Sequence, residues 1–398
     1  MRADQIEFKG SRRGLAAILL RGYALMVVTL GFYRFWLVTQ KRRYYWAHTH
    51  IDGDALEYTG NAVQLLVGFL LAVAIFVPLW GLFFYLSTQG SEATLLGYAG
   101  AGVVLWFLTG YAIFRARDFR LSRTLWRGIR FDLEGNAWGY AFRRFFWSIL
   151  LVVTLGLIYP LMAADLWRYR YNNTWWGDQR FLMRGRARNL AGPYFACYAI
   201  VAVFVLGMIG VLEGVLSNRA QMSDEALGEL VFAGGGCLLF LWLVVGIYRA
   251  IEISRMASSI SIGNIRLRLK LHWGDLLILQ IQFAVALALA YAVLAFGGYV
   301  VLGTVAPAAF ADGFDPARLA VALQNSYLVL LAIVFGYLLV LATFTLCVDL
   351  FLAMGFWMLI ASSLRVGGAA HMSSVKARPE DGALAGEGLA DALNVGAY

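Results

Sequence analysis

The sequence predicts an all-α polytopic membrane protein, and three observations carry that expectation. Of its 398 residues 61% are hydrophobic and only 14% charged, where soluble domains carry about a quarter charged. Apolar stretches near or above the ~20 residues of a helical span recur along the whole chain. Acidic and arginine-rich connections alternate between them. A membrane β-barrel would instead show alternating segments of about ten residues, and the sequence has none.

Taken in order, the first apolar segment covers 15–39. Arg12-Arg13 precede it, Thr29-Leu30-Gly31-Phe32-Tyr33 lie within it, and Lys41-Arg42-Arg43 follow. Long spans are expected at 62–87 and 93–114. A second Thr-Leu-Gly segment covers 145–167, between Arg143-Arg144 and Arg168-Tyr169-Arg170, with Thr154-Leu155-Gly156 and Tyr159-Pro160 inside it. Four more spans are expected at 190–216, 229–251, 275–304 and 326–360.

Charge sets the expected topology. The connections after 87, 216 and 304 hold Glu92, Asp224, Glu225, Glu229, Asp312 and Asp315 against only Arg219 and Arg318. Residues 115–144, 168–188 and 249–270 are dense in arginine, so they face the cytoplasm by the positive-inside rule. The six long spans then pair as hairpins. Segments 15–39 and 145–167 have basic residues at both ends, so they either re-enter or, as ordinary spans, place an arginine cluster outside. The total is six to eight membrane segments. Re-entry is preferred, because the glycine of Thr-Leu-Gly suits a helix-ending turn and backbone at membrane depth is tolerated when protein covers it. Both termini are expected in the cytoplasm, and no cleavable signal is legible.

The segments look duplicated. Trp106, Gly110, Ser122, Ile129 and Arg130 recur at one constant offset as Trp242, Gly246, Ser258, Ile265 and Arg266. The expected units are 1–144, 145–274 and a degenerate hairpin unit 275–365, followed by a disordered cytoplasmic tail, 366–398, with a short amphipathic helix near 388–394. Patches at 49–60 and 125–131 have strand character; they form small hairpins or lie in the headgroup layer anchored by Trp and Arg, and interfacial structure is the preferred expectation.

Thr29-Leu30-Gly31-Phe32-Tyr33-Arg34-Phe35-Trp36, with Lys41-Arg42-Arg43-Tyr44 and Tyr58-Thr59-Gly60, resembles the YjgN-like family of bacterial inner-membrane proteins. Thr154-Leu155-Gly156, Tyr159-Pro160 and Arg168-Tyr169 fit the same pattern, as does Gly386-Glu387-Gly388-Leu389-Ala390-Asp391. The resemblance implies a bacterial inner-membrane location and leaves activity open.

Raw material for chemistry is sparse. The three cysteines, Cys197, Cys237 and Cys347, sit in apolar stretches and read as small buried hydrophobes. His48, His50, Asp52 and Asp54 resemble a metal cluster but read better as a polar turn. No nucleotide loop, zinc-protease motif or catalytic triad is legible. The expectation is therefore a non-enzyme with no metal and no cofactor. The net charge of +9 reads as topology and attraction to anionic lipid headgroups at the cytoplasmic face, not nucleic-acid binding. Intramembrane charge is costly and marks function, which makes Asp349 and Arg21 the candidate polar site. The pairs of Asp165 with Arg168, and of Glu252 with Arg249 and Arg255, read as interfacial helix pairs. Glycine steps such as Gly210-x-x-x-Gly214 allow close helix packing and leave room for a homo-oligomer. Transport or permeation of a small molecule, ion or lipid is the leading expectation for function. A non-enzymatic scaffold or envelope factor on anionic lipid or a partner protein is the alternative, and the substrate, if there is one, is unread.

Overall fold

A computed structural model describes residues 4–88, 90–217, 224–311 and 313–378. Among the described residues six helices are long and apolar enough to cross a membrane: Ala62–Leu86, Gly97–Ser122, Arg188–Gly214, Gly234–Ala257, Trp273–Val305 and Tyr327–Ser363. They coincide with the six expected spans.

The chain is mostly helical but not all-α. Among the described residues ten short strands close into a barrel: β1 (Asp4–Phe8), β2 (Thr49–Ile51), β3 (Asp54–Tyr58), β4 (Thr124–Trp126), β5 (Ile129–Leu133), β6 (Thr174–Trp176), β7 (Gln179–Met183), β8 (Ile260–Ile262), β9 (Ile265–Leu269) and β10 (Leu364–Gly367). Every neighbour is antiparallel, and the ring runs β1-β10-β9-β8-β7-β6-β5-β4-β3-β2 and back to β1. The patches expected to lie as interfacial structure are thus β2–β3 and β4–β5. Their strands are too short for period-2 alternation to stand out, and their partners come from distant parts of the chain.

Four tight turns join the strand pairs. Asp52-Gly53 and Arg127-Gly128 have positive φ at both positions, as a type I′ hairpin turn requires. The other two turns have Gly177 and Gly263 at positive φ. Before three of the hairpins a threonine hydroxyl donates four residues back, Thr49 to Tyr45, Thr124 to Arg120 and Thr174 to Arg170. Each such bond occupies a terminal helix carbonyl as the chain passes into a strand.

The barrel is filled, not hollow. Ile6, Trp126, Trp176, Phe181, Ile262, Ile265 and Val366 are buried in one apolar cluster, with Trp126 and Trp176 ring centroids 4.8 Å apart. Alternate residues such as Glu7, Arg180, Arg266, Arg268 and Arg365 are exposed. Residues 366–378, expected to begin a disordered tail, are ordered because Val366, Met372 and Val375 are apolar and join this cluster. Lys376 exchanges two hydrogen bonds with Asp178, and Arg378 donates to Glu134 at 2.6 Å while lying over Trp175. Residues 379–398, including the helix expected near 388–394, lie outside the described residues.

The helices that flank the Thr-Leu-Gly steps are short: α1 (Arg12–Val28) and α2 (Arg34–Ala47), then α5 (Ala137–Val153) and α6 (Tyr159–Asn172). The long helices α3 (Ala62–Ser87) and α4 (Ser91–Ser122) lie between β3 and β4, and α7 (Arg188–Ser217) and α8 (Asp224–Ala257) between β7 and β8. From β5 to β7, all five elements match those from β1 to β3 in length and follow them by a constant 125 residues, so that Thr29 falls on Thr154.

The chain forms two compact units. One comprises Met1–Gly10, Phe32–Trp273 and Ile360–Tyr398, and contains the whole barrel. The other comprises Ser11–Gly31 and Gly274–Leu359. It holds α1, most of α9 (Trp273–Val305), α10 (Pro316–Asn325), α11 (Tyr327–Cys347), a π-helical turn at Val348–Ala353 and the start of α12 (Met354–Ser363).

Candidate functional site

Both Thr-Leu-Gly steps end a helix in the same way. Gly156 N–H donates to Leu151 O at 2.8 Å and Leu155 N–H to Val152 O at 3.1 Å; Gly31 to Met26 and Leu30 to Val27 repeat the pattern. This is a Schellman ending, with leucine where glycine is usual. Leu30 and Leu155 have φ of 50° and 51°, and the glycines 91° and 93°. The threonine hydroxyls add a bond to Leu25 O and Leu150 O, each 2.8 Å.

The second step turns the chain back on itself. Asp165 on α6 accepts from Arg143 at 3.0 Å and from Trp147 at 2.9 Å, both on α5. Asp165 therefore pairs across the hairpin and not with Arg168, as its spacing implied. α4 packs closely on α5, where a Cβ on Gly110 would lie 2.9 Å from Ala141 Cα. The turn is covered from α7: Tyr194 donates to Gly156 O at 2.6 Å and Tyr198 to Leu155 O at 2.8 Å.

Beside this turn lies a buried carboxylate whose spacing implied an interfacial helix pair. Glu252 on α8 is 1% exposed. Its Oε2 accepts from the Tyr159 hydroxyl at 3.0 Å and from Arg249 at 3.2 Å, and its Oε1 accepts from Trp167 Nε1 at 3.2 Å. Tyr159 stacks on Tyr194 at 5.3 Å, so the motif tyrosine links the turn to the carboxylate. Pro160 is buried in the first turn of α6, where its missing N–H costs nothing. Arg249 meets Glu252 as its spacing implied, whereas Arg255 donates to Asn189 O.

The remaining candidates separate. In the second unit Asp349 is buried within the π-helical turn, and the Tyr23 hydroxyl donates to it at 3.4 Å. Arg21 is exposed on α1. π-Turns inside helices are frequent at functional sites. Tyr33 stacks on Trp36 at 6.2 Å and its hydroxyl accepts from Gln40. Asp52 and Asp54 both accept from Arg127, at 2.8 and 2.5 Å, and the bond to Asp54 is the main cause that raises the Arg127 pKa. These carboxylates staple one hairpin turn to the next.

An open cleft of about 680 Å³ lies where α8 ends and β9 leads toward α9. Arg255, Lys270, His272 and Asn189 line it together with Ser254 and Ser258, and Ile251, Leu269 and Leu271 supply an apolar wall. The two serines also hold the connection in place, Ser254 accepting from Leu271 N–H and Ser258 from Leu269 N–H.

Among known families, the model described as a bacterial protein of unknown function (DUF898) matches residues 3–290. No significant match was found among curated proteins or solved structures.

Proposed function

We propose, from the premise that this chain belongs to the bacterial DUF898 family, the YjgN family that its Thr-Leu-Gly motifs resemble, that it is a non-enzymatic scaffold of the inner membrane. In this reading six helices span the bilayer, the two Thr-Leu-Gly segments dip into it, and the barrel strands lie on the cytoplasmic side. The closed ring carries the reading. Strands that hydrogen-bond in one ring lie on one side of the membrane, so the chain crosses an even number of times between consecutive ring segments. The stretches from β3 to β4, β7 to β8 and β9 to β10 each contain two long spans. Those from β1 to β2 and from β5 to β6 contain a Thr-Leu-Gly step between helices of 17 and 14 residues, about 25 and 21 Å long and each short of a ~30 Å hydrocarbon core. Parity supports re-entry for both.

The constant spacing of matched elements supports an internal duplication in which each copy contributes a dipping hairpin, a spanning hairpin and strands of the ring. Exposed arginines on the barrel support a cytoplasmic location and attraction to anionic headgroups. The packed interior, with Trp126 and Trp176 at its centre, supports a cap over a conduit.

Cysteine labelling in intact cells tests the topology. Single cysteines at 40–46 and 172–178 are expected to react only after permeabilisation, and labelling from outside refutes it. A second reading, transport, draws on Asp349 at the π-turn. Ion and proton flux in oriented proteoliposomes separates the two: the scaffold predicts no flux above protein-free vesicles, and flux abolished by Asp349→Asn overturns it.

A further inference from the structure

We infer that the open cleft at the end of α8 is a phosphate-binding site, of the kind that takes the phosphate ester of an anionic lipid headgroup. The inference deepens the scaffold reading and rests on it for the side of the membrane that the cleft faces. Arg255 and Lys270 bring two fixed positive charges to one concavity, Asn189 adds an amide, and no carboxylate is among the residues that line it. Arg255 and Lys270 are both exposed, and Arg255 donates to Asn189 O, a bond that holds its guanidinium against the first turn of α7. An arginine fork with a lysine beside it is the donor set that phosphate oxygens select.

The position of the cleft points to a lipid. Ile251, Ser254 and Arg255 belong to the last turns of the span Gly234–Ala257, and Lys270, Leu271 and His272 lead into the span that starts at Trp273. The cleft therefore sits at the level where one apolar helix leaves the bilayer and the next enters it. Trp273 is 57% exposed, as expected of an aromatic anchor at the headgroup layer. The apolar wall of Ile251, Leu269 and Leu271 beside a cationic rim matches an amphiphile better than a free anion.

Native mass spectrometry of the full-length protein, titrated with phosphatidylglycerol or phosphatidylcholine, tests the site. The wild type is expected to retain phosphatidylglycerol preferentially. Lys270→Ala should weaken this about fivefold and the double variant Arg255→Ala/Lys270→Ala about 25-fold, near the contribution of one interfacial charge each. Lys270→Arg should restore it, and Arg268→Ala, on an exposed strand position outside the cleft, should leave it unchanged. Lys270 is exposed, so its substitution spares the fold; unfolding temperatures check each variant. If Arg268→Ala weakens binding as much as Lys270→Ala, the cleft is refuted while a diffuse attraction to anionic lipid stands. No preference for phosphatidylglycerol overturns the cleft and the lipid part of the scaffold reading together. Displacement of the lipid by millimolar inorganic phosphate assigns the site to a soluble phosphate and overturns the lipid.

Discussion

Leu155→Asn at the tip of the second hairpin tests whether that tip lies in lipid. Leu155 sits in the left-handed region, φ 51°, and is 80% exposed. A side chain with a Cβ pays about 1–2 kcal/mol there, and asparagine tolerates the conformation better. In water, leucine would be penalised twice, by strain and by exposure, and asparagine should stabilise the turn by roughly 1 kcal/mol. In the hydrocarbon layer the signs reverse. Removing a largely exposed leucine forfeits about 2 kcal/mol of apolar transfer, and the amide adds about 1–3 kcal/mol of desolvation. Against the relieved strain, Leu155→Asn should destabilise the protein by about 1–4 kcal/mol. Leu30, at φ 50° and 91% exposed, should respond alike.

The assay is thermal unfolding of the purified protein in lipid nanodiscs, where such a change lowers the midpoint by several degrees, taking ~2–4 °C per kcal/mol. A midpoint unchanged or raised in both Leu155→Asn and Leu30→Asn would mean that the tips meet water, and the re-entrant hairpins would then be wrong.

Glu252→Ala should cost about 2–7 kcal/mol: the Tyr159 and Trp167 donors each lose a buried acceptor at about 1–3 kcal/mol, while the half-exposed Arg249 adds no more than about 1. Glu252→Gln, which keeps one acceptor, should cost about half as much in the same unfolding assay; an unperturbed Glu252→Ala would refute the network. Gly156→Ala should cost about 1–2 kcal/mol, because φ is 93° and the new Cβ would lie 3.2 Å from the Tyr194 hydroxyl that caps the turn. Gly177→Val should release residues 368–378 from the barrel, since its Cβ would stand 2.2 Å from Lys376 O; faster tryptic cleavage after Lys376 measures this, and an unchanged rate would refute it.

The six spans were legible because a membrane helix announces itself within one stretch of chain. The Thr-Leu-Gly turns were legible for the same reason, with glycine closing a helix whose threonine and leucine precede it. The barrel was not, although the recurring residues held its trace. Ile129-Arg130 and Ile265-Arg266 occupy the same places in β5 and β9, and Ser122 and Ser258 stand just before the preceding strands. A strand of three residues has no periodicity to read, and the Trp126 that fills the barrel looks, in sequence, like the Trp of an interfacial anchor. Glu252 was misread for a related reason. Its spacing from Arg249 fits an interfacial helix pair, and only the approach of Tyr159 and Trp167 on α6, remote in sequence, buries it.

Two independent lines meet at the topology. The count of arginines against acids is a statement about side-chain charge and the cost of carrying it across a bilayer. Ring closure is a statement about backbone hydrogen bonds between ten short strands, most of whose interior residues carry no charge. Neither line uses the other, yet both assign one side to the stretches around β4–β5, β6–β7 and β8–β9. The ring puts β1 and β10 on that same side. With those two strands fixed, a spanning 15–39 would require β1 and β2 to pair across the membrane. On the proposed reading the first Thr-Leu-Gly segment returns to the side it left, and its exposed leucine meets lipid.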